Sequence, residues 1–220
     1  MRRTPSSPEA PLPATPFREA ASRHTAFRDD PAAARPLRDA ARACDALGLQ
    51  RGDRLLLAVS GGADSLALAA LLARLAPARG WELRALSVNH GLRAEAAADA
   101  AHAADICQRL GIPCRVVTVD VPGLRQRGEG MEEAARRLRY AALEEERQRR
   151  RANWIALGHH AGDAAEDMLL RLLRGTGWPA LGGMRARDGG RRLLRPLLDM
   201  RPESLRACLR ALGLVWVEDA

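Results

Sequence analysis

The sequence predicts an α/β fold in which a parallel sheet carries helices on both faces. Three observations lead there. Short apolar runs alternate with longer helical patterns along most of the chain, the βαβ rhythm of a parallel sheet. A glycine-rich turn, Ser60-Gly61-Gly62-Ala63-Asp64-Ser65, joins the apolar run Leu55 to Val59 to a helix beginning near Leu66. The chain has 220 residues, of which 47% are hydrophobic, enough for one sizeable core, and no apolar run approaches the roughly 18 residues of a membrane span.

Residues 1 to 36 are rich in Pro, Ala, Ser and Arg without a continuous apolar stretch, and are expected to form a flexible extension and not a secretory signal. The folded domain is expected over 37 to 220. Within it, Arg54 to Val59 reads as a strand, Leu66 to Leu75 as a helix and Leu83 to Val88 as a strand. Ala96 to Leu110 follows as a helix, Arg115 to Val119 as a strand, Met131 to about Arg150 as a helix and Trp154 to Leu157 as a strand. An apolar helix spans Met168 to Leu173, and residues 175 to 220 are read as the start of a helical, RNA-facing region. Ligands of such sheets bind at the carboxyl ends of the strands.

The turn at residues 60 to 65 lies at such an end. Paired glycines let bare N–H groups approach an anion, and the following helix aims its positive end there. Ser60 and Ser65 offer hydroxyl donors. Asp64 beside an anion site makes sense if a divalent cation lies between them, so the constellation reads as nucleotide plus magnesium. A Walker P-loop is excluded, because the chain contains no lysine. A plain turn with a helix cap uses the same residue types. A nucleophile elbow with Ser60 as nucleophile lacks its first glycine and leaves Asp64 without a role.

Three further segments reach the strand ends. Asn89-His90-Gly91-Leu92-Arg93 follows the second strand, and His90 and Arg93 face the crevice of Ser60 or form an ordinary loop. Gly158-His159-His160-Ala161-Gly162-Asp163 follows the fourth; Asp163 and Glu166 share a helix face. Magnesium and ATP binding is the favoured use of this segment. A transition-metal site of His159, His160, Asp163 and Glu166, or a cap by Asp163 with His160 as an interior histidine, are the alternatives. Arg136, Arg139 and Tyr140 lie on one helix face, suited to a triphosphate or to leaving pyrophosphate, although surface ion pairs are the default for such residues.

Charge points to a polyanion. The net charge is +8, and eight arginines between Met168 and Arg201 face only Asp188 and Asp199; RNA held by its phosphates fits, as does a solvated basic face. Aromatic residues are 3% of the chain, so a stacking platform for single strands is not evident. Cys44, Cys107, Cys114 and Cys208 form no C-x-x-C pair, which fits a reducing cytoplasmic setting and argues against zinc, an iron–sulfur cluster or a disulfide framework.

S-G-G-x-D-S is similar to the signature of the PP-loop ATP pyrophosphatases, whose fold is adenine nucleotide alpha hydrolase-like and Rossmann-like. With N-H-G-L-R, E-E-A-A-R-R-L-R-Y, the G-H-H segment, L-L-R-L-L-R-G-T-G-W-P-A-L-G-G-M and L-L-R-P-L-L, the chain from about Asp53 to Asp219 resembles the tRNA(Ile)-lysidine synthases. The resemblance implies ATP-dependent adenylation of the wobble cytidine (position 34) in tRNA(Ile) with a CAU anticodon. Free L-lysine then displaces AMP through its ε-amine and gives lysidine. It further implies that Ser60, Gly61, Gly62, Ala63 and Ser65 cradle the pyrophosphate end of ATP, with His90 and His160 at the nucleotide. Asp64 and Asp163 would serve Mg2+, Asp64, Arg136, Arg139 and Asp163 would be the catalytic set, and a homodimer is left open.

Two departures accompany the likeness. The family's H-x-D-D-Q-x-E-T appears as His160 to Asp167 with Gly162 in place of the first aspartate, Ala164 in place of glutamine and Asp167 in place of threonine. The sequence also stops at Ala220, where the family runs on through a D-P-S-N type segment, implying a minimal or truncated form. A PP-loop protein that binds ATP or tRNA without turnover is therefore the alternative; a tRNA thiolase is disfavoured, since no cysteine lies in a recognised motif.

Overall fold

The computed structural model describes residues 27–91, 96–173, 175 and 183–218. Its centre is a six-stranded sheet of order β3-β2-β1-β4-β6-β5. The strands are β1 (Arg54–Ala58), β2 (Glu82–Asn89), β3 (Cys114–Thr118), β4 (Trp154–Ala156), β5 (Arg187–Asp188) and β6 (Leu193–Leu194). β3, β2, β1, β4 and β6 are parallel neighbours, and β5 pairs antiparallel to β6.

Alternation along β1 divides the core. Leu55, Leu57 and Val59 point to one face and Leu56 to the other, as a two-residue side-chain period requires. The first face is covered by α1 (Pro31–Ala46), α2 (Ala63–Arg79), α3 (Ala96–Arg109) and α7 (Pro202–Ala211). On the second face Leu143 of α5 (Met131–Arg149) packs with Leu56, Leu86, Ile155, Leu157 and Leu193. A short α4 (Val121–Leu124) precedes α5, and α6 (Ala161–Leu173) follows β4. The expected α/β class with helices on both faces is present, and the expected strands and helices appear with ends moved by a few residues.

Three expectations change. The flexible extension does not reach Pro36. Asp30 caps α1 by accepting from the Ala32 N–H at 2.8 Å, Pro31 takes a first-turn position where no donor is needed, and Ala33, Pro36, Ala40 and Cys44 are buried; residues 1–26 lie outside the described residues. The region after 183 is not purely helical, because β5 and β6 extend the sheet before α7 packs on α1 and α2. Two-residue strands carry no periodicity to read. The apolar helix starts at Ala161, seven residues before Met168, and no described residue of it is buried. Met168, Leu169, Leu170, Leu172 and Leu173 are exposed, Leu173 at 75%.

Interior charge is spent on anchoring. Glu146 of α5 is buried yet held at about 2: burial pushes its carboxyl up, and Arg149, Arg115 and Arg150 overcome it. Arg115 of β3 donates to it at 2.7 Å, tying the edge strand to the helix across 31 positions. The neighbouring Cys114 thiol and burial raise the Cys107 thiol; all four cysteines are free.

Candidate active site

A cavity of about 570 Å3 opens at the carboxyl ends of β1, β2 and β4, as the topology dictates. Its floor is the β1–α2 turn. Gly61 adopts φ +95°, a backbone state that side chains avoid, and a Cβ there would lie 3.1 Å from the Asp99 carbonyl oxygen. Gly62 is the N-cap of α2 and brings no side-chain cap, so the first-turn N–H groups carry no capping side chain in front of them. The serines brace the bend: Ser65 Oγ accepts from the Ser60 N–H at 3.1 Å, lies 3.2 Å from Ser60 Oγ and donates to the Gly62 carbonyl at 3.0 Å.

Gly158 ends β4 against that turn. A Cβ on it would stand 2.9 Å from Asp64 C, Asp64 O and Ser65 N, all backbone. The glycine of G-H-H is thus a packing requirement of the loop opposite.

Asp64 Oδ1 is buried without a hydrogen-bond partner among the described residues. Burial raises the Asp64 carboxyl; His160 and Arg206 pull it down, and Asp163 adds to the rise. His160 bridges the two acids, with Nε2 3.4 Å from Asp64 Oδ2 and Nδ1 3.3 Å from Asp163 Oδ2. The backbone decides its role. Nδ1 accepts from the Gly162 N–H at 3.0 Å and the Asp163 N–H at 3.3 Å, while Asp163 Oδ2 accepts from the His160 N–H at 2.7 Å. Residues 160 and 163 therefore cap α6 reciprocally, and the proton on His160 sits on Nε2, toward Asp64. The short Nδ1 to Asp163 distance is a by-product of this cap and not an ion pair.

His159 differs. Its Nδ1 accepts from Arg195 Nε at 2.9 Å. Burial first, then Arg195, Arg136 and Arg139, hold the imidazole down to about 4 against the pull of Asp163. Arg139 lines the cavity, is mostly buried and has its guanidinium pKa lowered by that burial. Arg136 and Arg139 both lie over the Tyr140 ring, at 5.4 and 5.9 Å. His90 lines the wall, its buried Nδ1 has no hydrogen-bond partner among the described residues, and burial lowers the imidazole.

Ser60, Gly62, Ala63, Asp64, Ser65, His90, Arg139, His159 and Asp163 line one cavity. Gly61 supports it from behind, His160 joins its acids, and Arg136 stands one helical turn from Arg139. Arg93 lies outside the described residues. The transition-metal set does not assemble: among the described residues no group of three or more His, Cys, Asp or Glu side chains is placed to hold a metal.

Sequence reasoning missed the fourth wall. Arg206 of α7 and Trp216, Val217 and Glu218 line the cavity. Val217 donates to the Gly61 carbonyl at 3.0 Å, and the Val215 carbonyl lies 2.9 Å from His102 Nε2. These contacts span more than a hundred positions, so no local pattern announces them. The basic cluster is also less free than its charge suggests: Arg187 and Arg192 lie over Trp154 at 4.4 and 5.6 Å, and Arg195 is buried. Among the described residues no helix is long and apolar enough to cross a membrane.

The profile of the PP-loop domain family matches residues 35–220. Curated relatives include tRNA(Ile)-lysidine synthases of Nitratidesulfovibrio vulgaris, 49% identical over 170 residues, and of Alkalilimnicola ehrlichii, 47% identical over 165. The first alignment covers 77% of this chain and 49% of the relative, the second 74% and 36%, so the chain spans about half or less of these relatives. Among solved structures, a U34-tRNA thiolase from Methanococcus maripaludis superimposes with a TM-score of 0.70 at 20% identity, covering 82% of this chain and 64% of that one. At that identity the likeness speaks for the fold alone.

Proposed function

The chain belongs to the PP-loop domain family, and from that premise we propose that it adenylates an RNA oxygen with ATP, as the first half of lysidine formation on CAU-anticodon tRNA(Ile). One observation carries the adenylation: the α2 N-terminus, which has no side-chain cap, lines the cavity together with Asp64, whose buried Oδ1 has no hydrogen-bond partner among the described residues. The names of the curated relatives supply the substrate, with free L-lysine as nucleophile.

Ser60, Gly61, Gly62, Ala63 and Ser65 cradle the phosphates through backbone N–H groups and hydroxyls. The fit of Mg2+ rests on Asp64, whose buried Oδ1 lacks a partner among the described residues, and on Asp163, which lies by the same His160. One or two carboxylates plus phosphate oxygens is a usual magnesium environment. Held there, Mg2+ neutralises charge on the phosphates. Arg139, with Arg136 beside it, stabilises the charge that develops as pyrophosphate leaves. His160, fixed by the α6 cap, holds its Nε2 edge 3.4 Å from Asp64 Oδ2 and so faces that carboxylate with a proton. His90 closes the nucleotide wall. The arginines beyond Met184 that remain exposed attract RNA.

Gly162 favours a second reading. A Cβ there would come 2.7 Å from His160 Cε1, so this chain has a capping geometry that an aspartate at 162 would displace, and ATP or tRNA binding without turnover follows if that aspartate is required. AMP and pyrophosphate release from ATP, measured with and without the tRNA transcript and Mg2+, tests the reading. RNA-dependent AMP release lost in D64N supports it; ATP binding without AMP release supports the second.

A further inference from the structure

Arg195 and His159 raise a question that the phosphate cradle and the acid pair leave unanswered. Arg195 is a buried arginine, 8% exposed, in the L-L-R-P-L-L segment after β6. Among the described residues it meets no carboxylate. Its Nε donates to His159 Nδ1 at 2.9 Å and its Nη1 to the Arg185 carbonyl at 2.6 Å. A guanidinium only donates, so Nδ1 of His159 carries no proton. The ring proton is then on Nε2, the edge left to face the cavity that His159 lines.

We propose that Arg195 is a positioning residue that locks His159 as a neutral Nε2–H donor, aimed at an oxygen acceptor of the bound substrate. Both ring nitrogens are thereby committed. Nδ1 is occupied by Arg195 and Nε2 is already protonated, so His159 has no lone pair with which to accept a proton from an incoming amine. An imidazole beside a nucleotide invites assignment as general base; this pairing rules that role out and assigns recognition instead. The acceptor is a phosphoryl oxygen of ATP or a carbonyl oxygen of a nucleobase, which present the same chemistry to an N–H donor. The carbonyl of Arg185 gives the device a second anchor. One guanidinium ties the end of β4 to the chain just before β5, so the orientation of the ring depends on that segment's position.

The proposal rests on reading the cavity as a nucleotide site, and its test separates the two. Long-range proton–nitrogen correlation on 15N-histidine protein at neutral pH reports the tautomer without any substrate. The wild type is expected to show His159 as the Nε2–H form alone, and R195K, whose single ammonium cannot serve both His159 and Arg185, a mixture. Equilibrium ATP binding and RNA-dependent AMP release then compare H159Q, which keeps a donor near Nε2, with H159L, which has none. H159L is expected to lose about 10- to 100-fold, the scale of a deleted hydrogen bond to a charged or polarised acceptor, and H159Q to recover most of it. A loss in ATP affinity identifies the phosphoryl acceptor; a loss confined to KM or kcat with RNA identifies the nucleobase. An Nδ1–H tautomer in the wild type, or H159Q falling as far as H159L, would overturn the proposal while leaving ATP-dependent adenylation standing. Absence of ATP binding by the wild type overturns the nucleotide reading itself, and with it the substrate acceptor assigned to His159.

Discussion

Replacing Gly158 with alanine adds one methyl group where the structure has no room for it. The new Cβ would stand 2.9 Å from Asp64 C, Asp64 O and Ser65 N, against about 3.5 to 4.0 Å for favourable carbon contacts. None of the three is the mobile end of a side chain. Either the end of β4 or the first turn of α2 must retreat by roughly half an ångström, and overpacking of this kind costs about 1 to 3 kcal/mol. For a chain of this size that is a fall of roughly 3 to 10 °C in Tm. Because the contact falls on the phosphate loop, ATP affinity should drop as well, by about tenfold if 1.4 kcal/mol of the strain is felt at the site. Thermal unfolding with and without ATP and Mg2+ reads both effects, since a bound ligand raises Tm according to its affinity. Gly189→Ala is the control: nothing lies within 4 Å of its Cβ, and Tm should not move. G158A with wild-type Tm and wild-type ATP stabilisation would refute the packing of β4 against the loop.

Other consequences follow from named groups. D64N removes a carboxylate that burial disfavours; it should raise the ligand-free Tm while reducing AMP formation at least about 100-fold, the scale of losing a key electrostatic group. His159 is held down to about 4: below pH 6.5 the unfolded chain takes up a proton that the folded chain refuses, so stability present above that pH is lost as pH falls toward 4. The loss is roughly 2 to 3 kcal/mol, and urea titrations between pH 4 and 7.5 should lose that slope in H159Q. L169E combined with L173E lies on the exposed face of α6 and should change stability by no more than about 0.5 kcal/mol while improving solubility, as light scattering would register.

The parts legible in the sequence were those with a local signature. Leu55 to Val59 announced a buried strand by length and composition, and Gly61-Gly62 with Asp64 announced the turn after it, because both follow from residues adjacent in the chain. Arg136, Arg139 and Tyr140 fell on one face, as their three- and four-residue spacing requires. The rest depended on contacts with no local trace. Arg206 and Trp216 reach the cavity only because α7 folds back across α2, and Arg195 looked like one more member of a basic patch until its guanidinium met His159. Pro36 read as part of a proline-rich tail, although Asp30 and Pro31 start a helix early enough to absorb it. The sequence leaves Asp163 and His160 open to metal and nucleotide binding or to a cap by Asp163 with His160 in the interior. The backbone hydrogen bonds support the cap directly, and Asp64 Oδ1 beside it is buried without a hydrogen-bond partner among the described residues.

The most direct test of the central claim supplies the protein with ATP, Mg2+, labelled lysine and a transcript of isoleucine tRNA bearing CAU, with methionine tRNA as the control. Lysine joined covalently to the isoleucine transcript alone, with AMP formed in step, is the predicted result. AMP release without lysine transfer, or transfer to both RNAs alike, would contradict it.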